Sequence, residues 1–348
     1  MGARRSRRAV ILALGAAALA VRERSVPPPG RALAEGVVVS SEARDDALLA
    51  QRDALFDAMK SELKLTDDEL AGVRKIFADS PVLGQGNPAL SVHPMTASQC
   101  RAAREAASIV PGNPERCGAP NMVPIFDPAG QNERDARACI DQYEFPDIPC
   151  EYPVVHVTAR EAVLLCETIG KRICDAHEWE GACAGALHEP DREYAWNRPR
   201  GEMERLHNDG REMVWAYGPT KDHSKCATGS FKTPACPGSG YELCGSNTYP
   251  AGSFPACVST FGVYDQHGNA AEHMNLPLRP EELASRGGHG STEMKGSWFI
   301  FATYEAHPDD CRWRAPDWHG SRIMDVASHS NYHLGFRCCK TVPSHPDE

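Results

Sequence analysis

The chain has 348 residues, 41% hydrophobic and 24% charged, which suits a globular protein with room for one large domain plus an appendage. Its formal net charge of -10 at pH 7 repels phosphate backbones and argues against nucleic-acid binding. The fourteen cysteines are even in number, and none of their spacings forms a paired CxxC zinc site.

The first twenty residues read as a bacterial-type signal peptide: Arg4, Arg5, Arg7 and Arg8 precede the apolar run from Val10 to Leu19, and Ala18-Leu19-Ala20 has the form of a cleavage site. Arg7 and Arg8 ahead of Val10, Ile11 and Leu12 also resemble a twin-arginine signal. Cleavage and retention as an anchor both stay open at this point. No later stretch approaches the roughly 20 apolar residues of a membrane helix. Export explains the cysteine count, since disulfides persist in oxidising compartments, and as many as seven bridges are expected in a periplasmic, cell-surface or secreted protein.

Residues 21–44 form a linker stiffened by Pro27, Pro28 and Pro29. From Asp45 the apolar residues Leu48, Leu49, Leu55, Phe56, Met59 and Leu63, then Leu70, Val73, Ile76 and Phe77, recur at helical steps and predict a helical hairpin packed on the main domain. Thr66 and Glu69 form the capping box of its second helix. The connector up to residue 118 is rich in Pro, Gly and Asn; Cys100 and Cys117 bracket an Ala-rich helical stretch, which reads as loops around a bridged turn.

Residues 119–342 change character, with short strand-like pieces and many turns, which predicts an irregular α+β domain. Two helices stand out by their capping boxes, Thr158 with Glu161 and Asp175 with Glu178. The first buries Ala162, Leu165, Cys166 and Ile169 and ends at Gly170; the second turns Trp179, Ala182 and Cys183 inward and ends before Gly185.

Several segments then line up in order: Cys139 to Glu144 (CIDQYE), Pro153 to Thr158, Cys166 to Arg172 ending in GKR, His177 to Glu180 with its EWE, Gly262 to Glu272 (GVYDQHGNAAE), Lys295 to Trp298 (KGSW) and Leu334 to Cys338 (LGFRC). Together they resemble the formylglycine-generating, or sulfatase-modifying factor, family. The resemblance implies a C-type-lectin-like α+β fold, disulfide-rich and low in regular secondary structure. The family's founding activity is oxidation of a substrate cysteine to formylglycine at a copper ion held by two thiolates, which soft sulfur suits. Its thiolate positions fall at or near Ile300 and Glu305, neither of which can serve as a ligand of that kind. The resemblance places Cys311 as a structural cysteine bonded to Cys338 or Cys339, with a vicinal Cys338–Cys339 bond as the alternative.

Family members also bind calcium through oxygen ligands. Asn269 and Glu272 match one such site, with His273 in place of the usual Trp, and Asn208 and Asp222 suggest a second. A different metal reading rests on histidine: eight of the fourteen lie from His267 onward, His329 and His333 stand four apart, and His319 would complete a three-histidine site for iron or copper. The Ser, Asn and Tyr between the pair favour a loop over the helix that would align them. His177 and Glu178 do not begin a zincin motif, because Gly181 stands where the second histidine belongs.

The sequence therefore predicts an exported family member that keeps the fold, lacks copper-thiolate oxidation and acts as a binding or structural module for a protein or peptide partner. The competing expectation is an oxygen-dependent metal oxidoreductase acting on a thiol or protein side chain.

Overall fold

The computed structural model describes residues 41–343 except 110, 111, 113, 235, 237–239 and 317–319. The expected leader, most of the linker and His319 lie outside the described residues.

The chain opens with α1 (Ser41–Glu62) and α2 (Asp67–Asp79), antiparallel helices whose turn places Lys64 at a φ of 61°. The helix starts at Ser41, so the last four residues assigned to the linker belong to α1. Thr66 and Glu69 make both halves of the expected capping box. Leu55, Phe56, Met59, Val73 and Phe77 are buried in one cluster with Val157, Val163, Leu165 and Phe336, so the hairpin packs on the main domain as its apolar spacing required. Burying a side chain such as Phe77 contributes roughly 2–3 kcal/mol, and its ring also meets Phe56 edge-on at 5.1 Å.

The connector carries α3 (Ala97–Ala106) and the short α4 (Pro114–Cys117). Its two cysteines do not bridge a local turn. Cys100 reaches Cys150 and Cys117 reaches Cys139, so both tie the connector to the domain that follows.

That domain holds two small sheets and the helices around them. β1 (Met122–Ile125), β2 (Ala138–Asp141), β3 (Arg172–Ile173) and β7 (Cys338–Thr341) form an antiparallel sheet in the order β1-β2-β7-β3. β4 (Ala271–Leu276) pairs antiparallel with β5 (Ser291–Lys295) and parallel with β6 (Leu334–Phe336). Between the strands lie α5 (Ala159–Thr168), α6 (Ala176–Ala184), α7 (Pro190–Glu193) and α8 (Arg200–Gly210).

Arg337 alone separates β6 from β7, so the chain passes between the sheets at this residue. Its guanidinium is fully buried, holds both carboxylate oxygens of Glu272 at 2.7 Å and donates to the carbonyls of Asp141, Gln142 and Tyr264. A planar five-donor fork suits this multiple anchoring in a way lysine would not.

All fourteen cysteines are paired. Cys311 bonds Cys183 on α6, and neither Cys338 nor Cys339, while those two bond Cys166 and Cys174. Successive strand residues face opposite sides of a sheet. Cys338 therefore meets α5 while Cys339 meets the segment leading into α6, which excludes a vicinal bond. A chain with seven disulfides belongs outside the reducing cytoplasm. Among the described residues no helix is long and apolar enough to cross a membrane.

Candidate functional site

The segment after β5 builds the most developed cavity. Gly296 has a φ of 74°, and a Cβ there would lie 2.9 Å from the Gln266 carbonyl oxygen, so glycine is required where the strand leaves the sheet. Ser297 then receives the Gly268 amide and donates to Asp309, and the Phe299 amide donates to the Asn269 carbonyl. Tyr304 N–H donates to the Ile300 carbonyl, closing a helical turn that presents Ile300, Thr303 and Tyr304 on one side.

Two further segments complete the walls. Residues 230–232 are held by the Ser230 amide donating to the Phe299 carbonyl at 2.7 Å, and residues 331–334 lead into β6. The cavity between them has a volume of about 750 Å³. His333 stacks on Trp298 with ring centres 4.1 Å apart, and His307 stacks on Trp313 at 4.6 Å. Phe231 and Tyr304 stand at the rim, 47% and 61% exposed, large apolar groups a protein surface ordinarily covers unless something docks there.

Burial holds the His333 imidazole well below its ordinary pKa, reinforced by His329, His156 and His307 nearby. Burial lowers His307 too, against the Pro308 carbonyl that its Nδ1 faces at 2.7 Å. These two rings are neutral at neutral pH, offering hydrogen bonds without charge. His329 lines the same wall.

A smaller cavity shares His329, Met294 and Leu334 with this one and reaches Glu293 and Arg200 beneath. Burial lifts the Glu293 carboxyl to about 7, against Lys295, Arg200 and the Ala315 amide. The folded protein therefore keeps a proton that the unfolded chain gives up near 4.5, and stability falls as pH rises through that window. Glu293→Gln mimics the protonated form. It is expected to be more stable than the parent by about 2–3 kcal/mol at pH 8, the gain vanishing below about pH 4.5. Denaturant titrations at both pH values check this; an equal loss at both would mean that Arg200 and Lys295 hold Glu293 charged. Arg200 keeps Glu204 and Lys295 keeps Glu180 as partners in the variant.

A family model for a sulfatase-modifying factor enzyme 1-like domain matches residues 126–342. The chain belongs to that family. The sulfatase-modifying factor match carries with it the C-type-lectin-like α+β fold expected from the sequence. The solved structure of CarF aligns with 72% of this chain and 84% of its own at 14% identity, with a TM-score of 0.28. A search of curated proteins finds no match.

At the two positions where the family resemblance places thiolates, Ile300 lines the cavity and Glu305 pairs with Lys221, and the cysteines are all in disulfides. Cys183, Cys311 and His267 do converge, but the two sulfurs are bonded to each other.

The oxygens expected for calcium are committed elsewhere. Glu272 accepts from Arg337 and from the Trp179 indole at 2.9 Å, and Asn269 Oδ1 accepts the Tyr249 amide while its Nδ2 donates to Glu144. Asn208 on α8 clamps Arg314 through both its amide and carbonyl. Asp222 caps the turn at Ser224. A guanidinium stands beside Glu272, so in this arrangement that carboxylate is already neutralised by Arg337.

The histidine reading divides. His329 and His333 do share a wall, joined by His307, which spacing alone did not single out. His319 lies outside the described residues. Among the described residues, the sets of three whose ligand atoms converge are the disulfide pair with His267, and Glu180, Glu193 and His207; His329 and His333 belong to neither. Lys295, Arg312 and Arg314 surround the second set and neutralise its carboxylates.

Proposed function

We propose that this protein is an exported member of the sulfatase-modifying factor family that has lost copper-dependent cysteine oxidation and acts as a binding module. Its ligand, carried by a peptide or protein partner or free, enters the cavity walled by Trp298, Tyr332 and His333. The observation that carries this reading is Ile300: an aliphatic side chain lines the binding cavity where the family resemblance calls for a thiolate. The fully bridged cysteines support it, since soft-metal chemistry needs a deprotonated thiol. The exposed aromatic rim supports the binding half.

The test supplies the purified oxidised protein with copper, oxygen and a sulfatase-type cysteine peptide. Mass spectrometry is expected to find the peptide unchanged. Loss of the thiol with gain of an aldehyde, abolished in Cys311→Ser, would overturn the reading in favour of oxidation at Cys311. The same product surviving Cys311→Ser but lost in His329→Ala would favour a histidine-held metal instead.

A further inference from the structure

Resting on the binding reading of this cavity, we infer that its ligand is an anion on an apolar body: a carboxylate attached to an aromatic or aliphatic group. The protein carries 47 acidic residues and a net charge of -10, yet among the described residues no aspartate or glutamate lines the cavity. The one formal charge among its lining residues is the ammonium of Lys232. That ammonium sits 5.8 Å over the Tyr332 ring, and no carboxylate pairs with it among the described residues.

Each part of the wall selects for a part of the ligand. Trp298, Tyr304 and Tyr332 give flat apolar surface against which an aromatic or aliphatic body loses water. A cationic ligand would meet the Lys232 ammonium, with no counter-charge among the described lining residues, whereas a carboxylate would pair with it. A surface as acidic as this one repels anions at long range, so an anion-accepting cavity needs its own local cation.

Two sources carry this chemistry, a free carboxylate and the C-terminus of a peptide, and the experiment separates them. Intrinsic tryptophan fluorescence and calorimetry on the oxidised protein would compare phenylbutanoate with phenylbutylamine, and acetyl-Ala-Phe bearing a free carboxylate with its C-terminal amide. The carboxylates are expected to bind about fivefold tighter or more than their counterparts at low salt, a preference that shrinks as salt is added. Lys232→Gln should bring the carboxylates down to the affinity of their counterparts, and Lys232→Arg should keep the preference. The tighter of the two carboxylates identifies the source.

Equal affinity of carboxylate and counterpart, or a preference that survives Lys232→Gln, would overturn the charge assignment and leave the binding cavity standing. Failure of all four probes to bind would overturn both.

Discussion

Glu180→Ala is expected to cost about 3–5 kcal/mol of stability, the loss typical when a buried ion pair is broken from one side. Glu180 lies on α6 with no solvent exposure. Lys295 Nζ donates to it at 2.5 Å and Arg314 at 2.9 and 3.1 Å, and both cations are as buried as the carboxylate. Burial alone would raise the Glu180 pKa; Arg314 and then Lys295 outweigh it and hold the carboxylate far below its usual range. Its stabilisation is therefore present above the ordinary carboxylate pKa and is lost only as pH falls through the depressed folded value. Alanine leaves two buried cations facing each other. Arg314 would keep the Glu193 carbonyl at 3.0 Å, a distant carboxylate and the Tyr194 ring at 4.6 Å, and Lys295 the Trp313 carbonyl at 2.7 Å and Glu293 at 4.0 Å.

Thermal and urea denaturation of the oxidised protein would read the loss. Arg205→Ala, which breaks an exposed pair with Asp209, is the control and should cost under about 1 kcal/mol. Equal effects of the two substitutions would mean that the buried network is a passenger. The neighbouring residues explain why the EWE motif reads so strongly in the sequence. Glu178 binds Arg172 beside β3, Trp179 donates to Glu272 on β4, and Glu180 holds β5 and the segment after Cys311. Three successive side chains on one helix thus tie it to both sheets.

What was legible in the sequence was local or motif-borne. The capping boxes of α2 and α5 were visible because a cap needs a Thr and a Glu three apart and nothing from elsewhere. At α6, Glu178 returns to the Asp175 amide as expected, but the Asp175 carboxylate reaches across to Ala284 and Asn275, a tertiary use that no local pattern discloses. α8 went unanticipated in a stretch read as turns and short strands. It has no side-chain cap at Pro199 and is braced by the i, i+4 pairs Arg200–Glu204 and Arg205–Asp209 and by the Asn208 clamp on Arg314.

The site was less legible than the fold because residue type does not reveal which partner an oxygen already has. Glu272 and Asn269 have the right atoms for calcium and spend them on Arg337, Trp179, Tyr249 and Glu144. The cavity depends on three segments far apart in the chain, so neither Lys232 nor His307 carried a signal. A scan for positions where acidic residues are missing could not have found it either, since the lining residues are not contiguous.

Breaking the long-range disulfides should have the other large effect. Cys166–Cys338 and Cys174–Cys339 close loops of 172 and 165 residues, whereas Cys236–Cys244 closes one of 8. If the bridges act by restricting the unfolded chain, the cost of removal grows with the logarithm of the loop released, but the first two bridges run side by side, so either one alone holds the other's loop to about ten residues and both must go before a long loop opens. The variant with Cys166, Cys174, Cys338 and Cys339 all changed to alanine is therefore expected to lose at least about twice the roughly 2.5 kcal/mol lost by Cys236→Ala with Cys244→Ala, or to fail to fold at 37 °C. The parent should titrate almost no free thiol under denaturing, non-reducing conditions; four or more would mean that the bridges do not form. Cys166 and Cys338 are fully buried between α5 and β7, so their removal also leaves a gap in the core, whereas Cys236 sits at the edge of its cluster at 8% exposure. Chain closure and packing thus point the same way. An equal loss in the two variants would show that neither loop length nor packing sets the cost of losing a bridge.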